Sequence, residues 1–150
     1  SYSNAAPNNQ SWKKFLLKEL EGKLELERIH FIEHLEHKEL IKIYQRSNLH
    51  VYLSGAFVLS WSLTEILACG TPVLAADNEM IRELIEPGVN GALWRGTPNS
   101  LGEAIAKLLK EPKLLEKWGE ASRGKLNPSY RHSNCLKELE ELLKKVGTSF

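Results

Sequence analysis

Asn48-Leu-His-Val-Tyr-Leu-Ser54, a glycine at position 55, then Phe57-Val-Leu-Ser-Trp-Ser-Leu-Thr-Glu65-Ile-Leu-Ala-Cys-Gly-Thr-Pro-Val-Leu-Ala-Ala-Asp77 decides the fold. The run reads as strand, loop, helix, tight turn, strand. Ser60 and Ser62 are both suitable N-caps, so the helix starts within 59–62. Gly70 suits the left-handed residue just beyond a helix end. A helix start after a strand offers backbone N–H groups without intrahelical acceptors and the positive end of a dipole, which suits a phosphate-bearing ligand. Trp61 and Glu65 stand four apart and so share a helix face. The carboxylate at 65, one turn further in, is placed to accept hydrogen bonds from ligand hydroxyls. On spacing alone the plainer account is the favoured one: the serines only cap, and Glu65 only complements the helix dipole.

Outward from this run, short apolar stretches alternate with amphipathic ones. Ser11 reads as an N-cap, with Trp12, Phe15, Leu16, Glu19 and Leu20 following at helical spacing. Ile29–Ile32 reads as a strand, and Lys38–Arg46 as a helix with Leu40, Ile41 and Tyr44 on its apolar face. Pro72–Ala76 is a buried strand, Met80–Ile85 a short helix, Gly88–Gly91 a turn and Gly91–Trp94 a last strand. The order predicts an α/β fold with a doubly wound, mainly parallel, Rossmann-like sheet. Beyond Pro98 the pattern is helical, with Leu101, Ile105, Leu108 and Leu109, then Leu114, Leu115 and Trp118, then Leu136, Leu139, Leu142, Leu143 and Val146 on apolar faces. Pro112 and Asn127-Pro128 punctuate these helices. The expected organisation is a Rossmann-like domain over 1–110 and a helical extension over 111–150. No strand precedes the first helix, so the sheet is expected to lack its first strands and to keep exposed edges, as in a fragment or a chain whose partner covers them.

Composition narrows the function. At 150 residues, with 42% hydrophobic and 26% charged residues, the chain is one globular domain's worth. A net charge of +1 gives no basic footprint for nucleic acid. No apolar run reaches membrane-span length, and the polar stretch Ser1–Gln10 is not a signal peptide. Cys69 and Cys135 form neither a disulfide framework nor a metal set, which fits a reducing, cytoplasmic setting. The dinucleotide glycine pattern and the phosphate loop ending in Gly-Lys-Ser/Thr are both absent. His34-x-x-His37, flanked by Glu33 and Glu36, has metal-ligating side chains but no third ligand in evidence, and a solvated turn accounts for it as well. His30 and His50 read as ordinary strand side chains, His132 as a loop residue, and Trp12, Trp94 and Trp118 as core or interface aromatics.

The Phe57–Asp77 run, with Arg82-Glu-Leu-Ile-Glu-Pro-Gly-Val-Asn-Gly91 after it and His30-Phe-Ile-Glu-His-Leu35 and Asn48–Ser54 before it, closely resembles the donor-binding half of group 1 (family 4) glycosyltransferases. The resemblance covers most of 11–110. It implies a retaining enzyme of GT-B fold, whose C-terminal Rossmann-like domain holds a UDP-, GDP- or ADP-sugar and needs no metal or other cofactor. Seven residues separate the two glutamates of the family's signature. Glu65 matches the second, which meets the ribose hydroxyls, and Phe57 stands where the first would be, as in a subgroup with an aromatic there. Leu59, Ser60, Trp61 and Ser62 match the stretch whose amides meet the sugar and diphosphate, and His34 and Leu35 match the loop beside the base. The family's diphosphate-neutralising Arg and Lys, and its acceptor domain, have no match within 1–150. The resemblance therefore implies a donor-binding part that is inactive without an acceptor domain on the same or another chain, with no protein nucleophile. The cysteine usage and the exposed strand edges add two expectations: a cytoplasmic setting, with room for peripheral attachment at the inner membrane face in the full enzyme, and homo-oligomerisation through those edges. Two other classes remain to be weighed: a non-catalytic subunit serving assembly, and an α/β signalling receiver, which lacks the acidic cluster a phosphoacceptor would need.

Overall fold

The computed structural model describes residues 11–23, 25–32, 34–55, 60–129 and 132–147. Two compact units divide the chain, Ser1–Leu35 and Glu36–Phe150. In the first, Ser11 caps α1 (Trp12–Glu19) by accepting a hydrogen bond from the Lys14 amide. Trp12 is half-exposed, its ring edge-on to Phe15 at 5.8 Å, so it belongs to a surface pair rather than a core. The Ile29–Ile32 strand does not form. Leu26–Arg28 is a single 3-10 turn, and Ile29 beyond it is extended (φ −117°, ψ 117°) but joins no ladder among the described residues. β-branched residues favour extended backbone, but a strand also requires a neighbour to complete its hydrogen bonds.

In the second unit α2 (His37–Arg46) leads into β1 (His50–Tyr52), and α3 (Trp61–Ala68) into β2 (Val73–Ala76). A one-turn helix, α4 (Glu79–Arg82), precedes β3 (Ala92–Trp94), and α5 (Pro98–Leu108), α6 (Pro112–Ser129) and α7 (His132–Gly147) follow. Among the described residues the sheet is three parallel strands in the order β1-β2-β3, with His50 opposite Val73 and Leu74 opposite Ala92. This is the α/β, Rossmann-like class expected from the sequence, carried by three strands rather than four. β2 is central and buried on both faces, which is why Val-Leu-Ala reads as a continuous apolar run rather than an alternating one.

The core lies where α3 meets the sheet. Leu63, Ile66 and Leu67 are fully buried against Val73, Ala75, Ile81, Leu84 and Ile85, each burial contributing roughly 1.5–3 kcal/mol. From α2, Tyr44 is buried and Leu40 and Ile41 are partly buried against this cluster, the face that the periodicity predicts. α3 ends in a Schellman motif: the Gly70 amide donates to Leu67 O (2.9 Å) and the Thr71 amide to Ile66 O (3.2 Å). Gly70 has φ 74°, a conformation that costs a side-chain-bearing residue energy and glycine almost none.

α6 braces the unit through two adjacent rows of side chains. Trp118 and Ser122, four apart, hold the loop before β3: Trp118 Nε1 donates to Gly88 O (3.1 Å) and Ser122 Oγ to Asn90 O (3.1 Å). Gly119 and Arg123, the next pair, hold the end of α3. The Arg123 guanidinium donates to Cys69 O at 2.9 and 3.2 Å, and Gly119 lies against the Gly70 carbonyl with no room for a Cβ. Asn127-Pro128 falls in the last turn of α6, which ends at Ser129. On α7, Leu136, Leu139, Leu142, Leu143 and Val146 are exposed.

His50 in β1 lies edge-on to Tyr44 at 5.7 Å, and burial lowers its pKa from the ordinary 6.5. The unfolded chain therefore takes up a proton that the folded site resists. This part of the stability is complete above 6.5 and shrinks as the pH falls below it toward the lower folded value. Urea midpoints measured between pH 7.5 and 5.5 should fall, and His50→Gln should remove that part of the slope. An unchanged slope in the variant would contradict this assignment.

Candidate functional site at the helix starts

In a parallel sheet each crossover helix runs back against the strands, so helix starts gather at the strands' carboxyl ends, where open α/β sheets bind ligands. α2 and α3 pack together and both begin there. The start of α3 is built from Ser60, an extended residue (φ −88°, ψ 137°) whose Oγ accepts from the Ser62 amide at 3.2 Å. Of the two candidate caps, Ser60 is the one used. The Ser60 and Ser62 hydroxyls lie 2.7 Å apart, so one can donate to the other while the second proton stays available to a ligand. Trp61, the first helical residue, is 86% exposed. Thr64 Oγ1 donates back to Trp61 O at 2.7 Å.

Glu65 is past the first turn of α3, which holds no acidic residue, so helix-dipole compensation does not account for it. Its side chain is 36% exposed and turned toward α2, where Oε1 stands 3.0 Å from His37 Nε2. No lysine engages it among the described residues. The same carboxylate is felt by two neighbours. Burial, then the charge of Glu65, raises the Tyr44 pKa above 10.0, and burial and Glu65 likewise raise that of Cys69, with Arg123 opposing. Glu65 therefore lies along the α2–α3 seam, with one oxygen held by His37.

The floor beyond this seam consists of strand ends tied to one another. Asn78 Nδ2 donates to Ser54 O (3.3 Å), linking the ends of β1 and β2, while its Oδ1 caps α4 by accepting from the Ile81 amide (3.1 Å). Asp77 takes a two-pronged bond from Arg82, Nε to Oδ1 at 2.7 Å and Nη2 to Oδ2 at 2.9 Å, with Arg95 3.8 Å away. The hydrogen bond from Arg82 is the main cause that holds the Asp77 carboxyl below its ordinary 3.8.

The structure thus brings together Ser60, Trp61, Ser62 and Glu65 of the residues singled out in the sequence. Phe57 and Leu59 lie outside the described residues. His34 and Leu35 belong to the first unit, so the His34-x-x-His37 pair is divided between units at Leu35 and Glu36. No group of three His, Cys, Asp or Glu side chains placed to hold a metal occurs among the described residues. A cleft of about 280 Å³ lined by Leu17, Lys18, Leu20, Glu21, Gly22 and Leu26 lies in the first unit and carries no comparable set of capping hydroxyls and carboxylate. The sequence reading missed His37 as a neighbour of Glu65, and missed Asn78 and Arg82 as ties of the floor. The sequence carried no local signal for His37, because it and Glu65 lie 28 residues apart on different helices.

A Rossmann-like α/β domain with a serine-capped helix start and a carboxylate on its seam resembles the domains of GT-B glycosyltransferases. Residues 9–125 match the family described as glycosyl transferases group 1, and the chain belongs to that family. Over 134 residues it is 25% identical to an uncharacterized glycosyltransferase of Methanocaldococcus jannaschii, an alignment covering 87% of this chain and 34% of that protein. The chain therefore spans about a third of that relative's length. Among solved structures it is similar to sucrose-phosphate synthase from Thermosynechococcus elongatus (TM-score 0.76, 22% identity, 92% of this chain and 34% of that one). It is equally similar to Anabaena HepE in complex with UDP-glucose (TM-score 0.76, 21% identity, 89% and 37%). The C-terminal domain of a group 1 glycosyl transferase from Francisella tularensis also matches (TM-score 0.68, 20% identity, 85% and 67%). No helix among the described residues is long and apolar enough to cross a membrane.

Proposed function

We propose that this chain is the donor-binding part of a retaining glycosyltransferase that moves a sugar from a UDP-, GDP- or ADP-linked donor to a hydroxyl acceptor. The observation that carries the reading is the placement of Glu65, a carboxylate beside the serine-capped start of α3 in a chain of this family. In this reading Glu65 accepts hydrogen bonds from the ribose hydroxyls, and the amides and hydroxyls of 60–62 meet the diphosphate, favoured by the helix dipole. The family resemblance assigns Phe57 and Leu59 to the stretch that meets the sugar, and His34 and Leu35 to the loop for the base. Retention proceeds by assistance from the leaving phosphate, without a protein nucleophile and without a metal. Residues 1–150 offer no counterpart of the family's cationic pair for the charge developing on the diphosphate, normally a large part of transition-state stabilisation. In this reading the donor-binding part turns over together with an acceptor domain on the same or another chain.

Titration calorimetry with UDP, GDP and ADP tests this. One of the three should bind, and Glu65→Ala should weaken it by about tenfold or more, the size expected when hydrogen bonds to a charged acceptor are lost. The second reading is a non-catalytic subunit serving assembly, favoured by the exposed apolar side chains of α7. It predicts silence with all three nucleotides.

A further inference from the structure

His37, spaced in the sequence as half of a histidine pair, has Glu65 as its neighbour. The two lie 28 residues apart and on different helices, with His37 Nε2 at 3.0 Å from Glu65 Oε1. Neither residue is where its own helix would want it. His37 is the first residue of α2, the positive end of that dipole, and Glu36, its N-cap, makes no side-chain capping bond. Glu65 is beyond the first turn of α3. The pair is also too open to matter much for folding: His37 is 67% exposed, and exposed ion pairs add little to stability. Its geometry has a definite consequence for the carboxylate. An ionised carboxylate only accepts, so the imidazole donates from Nε2, and that bond restricts the rotation of the group. Among the described residues, Tyr44 and Cys69 also feel the charge of Glu65. The carboxylate keeps further acceptor sites on both oxygens for the hydroxyls of an incoming ligand.

We propose that His37 is a positioning residue: it holds Glu65 in one orientation so that its carboxylate meets the vicinal hydroxyls of a ribonucleotide without first losing side-chain freedom. This rests on the donor-site reading above. Side-chain ordering on binding is a recognised loss of affinity, and a group fixed beforehand avoids it. The effect should therefore be confined to ligands that carry the ribose diol.

Calorimetry on the chain with UDP, GDP and ADP and with their 2′,3′-dideoxy counterparts, using His37→Ala, His37→Gln and Glu65→Gln, reads this out. His37→Ala should weaken the bound ribonucleotide about three- to tenfold and leave its dideoxy counterpart and the thermal midpoint unchanged. His37→Gln, which keeps an N–H donor, should recover most of the loss. If Glu65→Gln abolishes the preference for the ribonucleotide while His37→Ala alters both ligands equally, alters neither, or lowers the midpoint, the positioning role is overturned and the donor site stands. If no nucleotide binds, or Glu65→Gln leaves the ribose preference intact, the donor-site reading fails and this inference with it.

Discussion

Gly119→Ala is expected to lower the thermal midpoint by roughly 5–15 °C, corresponding to about 2–4 kcal/mol in a domain of this size. The direction runs against helix propensity, since alanine in a helix interior normally gains about 1 kcal/mol over glycine. Packing reverses the sign. A Cβ at 119 would collide with the carbonyl oxygen of Gly70, a backbone atom fixed by the Schellman turn that ends α3. Neither partner can rotate away, so α6 must shift outward and loosen the Arg123 bonds to Cys69 O. Because α3 carries Ser60, Trp61 and Glu65, the same variant should also weaken nucleotide binding without touching a ligand-facing group. Thermal unfolding followed by circular dichroism, with calorimetry alongside, checks both. A midpoint that rises would show that α6 does not bear on α3 as described.

Asn90→Ala is expected to cost a similar amount, about 2–4 kcal/mol, through a different mechanism. Asn90 is fully buried. Its Oδ1 accepts from the Glu86 amide at 2.7 Å and its Nδ2 donates to Leu84 O at 2.8 Å, so one side chain satisfies a donor and an acceptor at the start of the loop that enters β3. Alanine leaves a donor and an acceptor stranded beneath α6, where Trp118 and Ser122 close off water. Hydrogen exchange at the Glu86 amide should rise sharply in the variant. A stable Asn90→Ala protein with Glu86 still protected would mean that other groups satisfy the loop.

These two effects mark where the sequence could be read and where it could not. Gly88-Val-Asn-Gly91 was legible as a turn, but tolerance of positive φ accounts for only part of it. Gly88 does take φ 81°, whereas Asn90 is there for its buried amide. Periodicity found the apolar face of α2 correctly, yet gave no sign that its first residue would meet Glu65. The extended character of Ile29 was also legible. Whether it became a strand depended on a partner lying elsewhere in the chain.

Local bonds explain what the sequence by itself determined: Ser11, Ser60 and Gly70 bound their helices through contacts two to five residues away, and the Leu49–Asp77 run fixes strand, helix and strand in order. Only the tertiary structure decided that His37 meets Glu65 across 28 residues, that Arg123 reaches Cys69 across 54, and that β1, β2 and β3 share one sheet. Those contacts form only when burial of Leu63, Ile66 and Leu67 draws the helices onto the strands. The packed core, more than any spacing of residues, sets the distances between side chains remote in the chain.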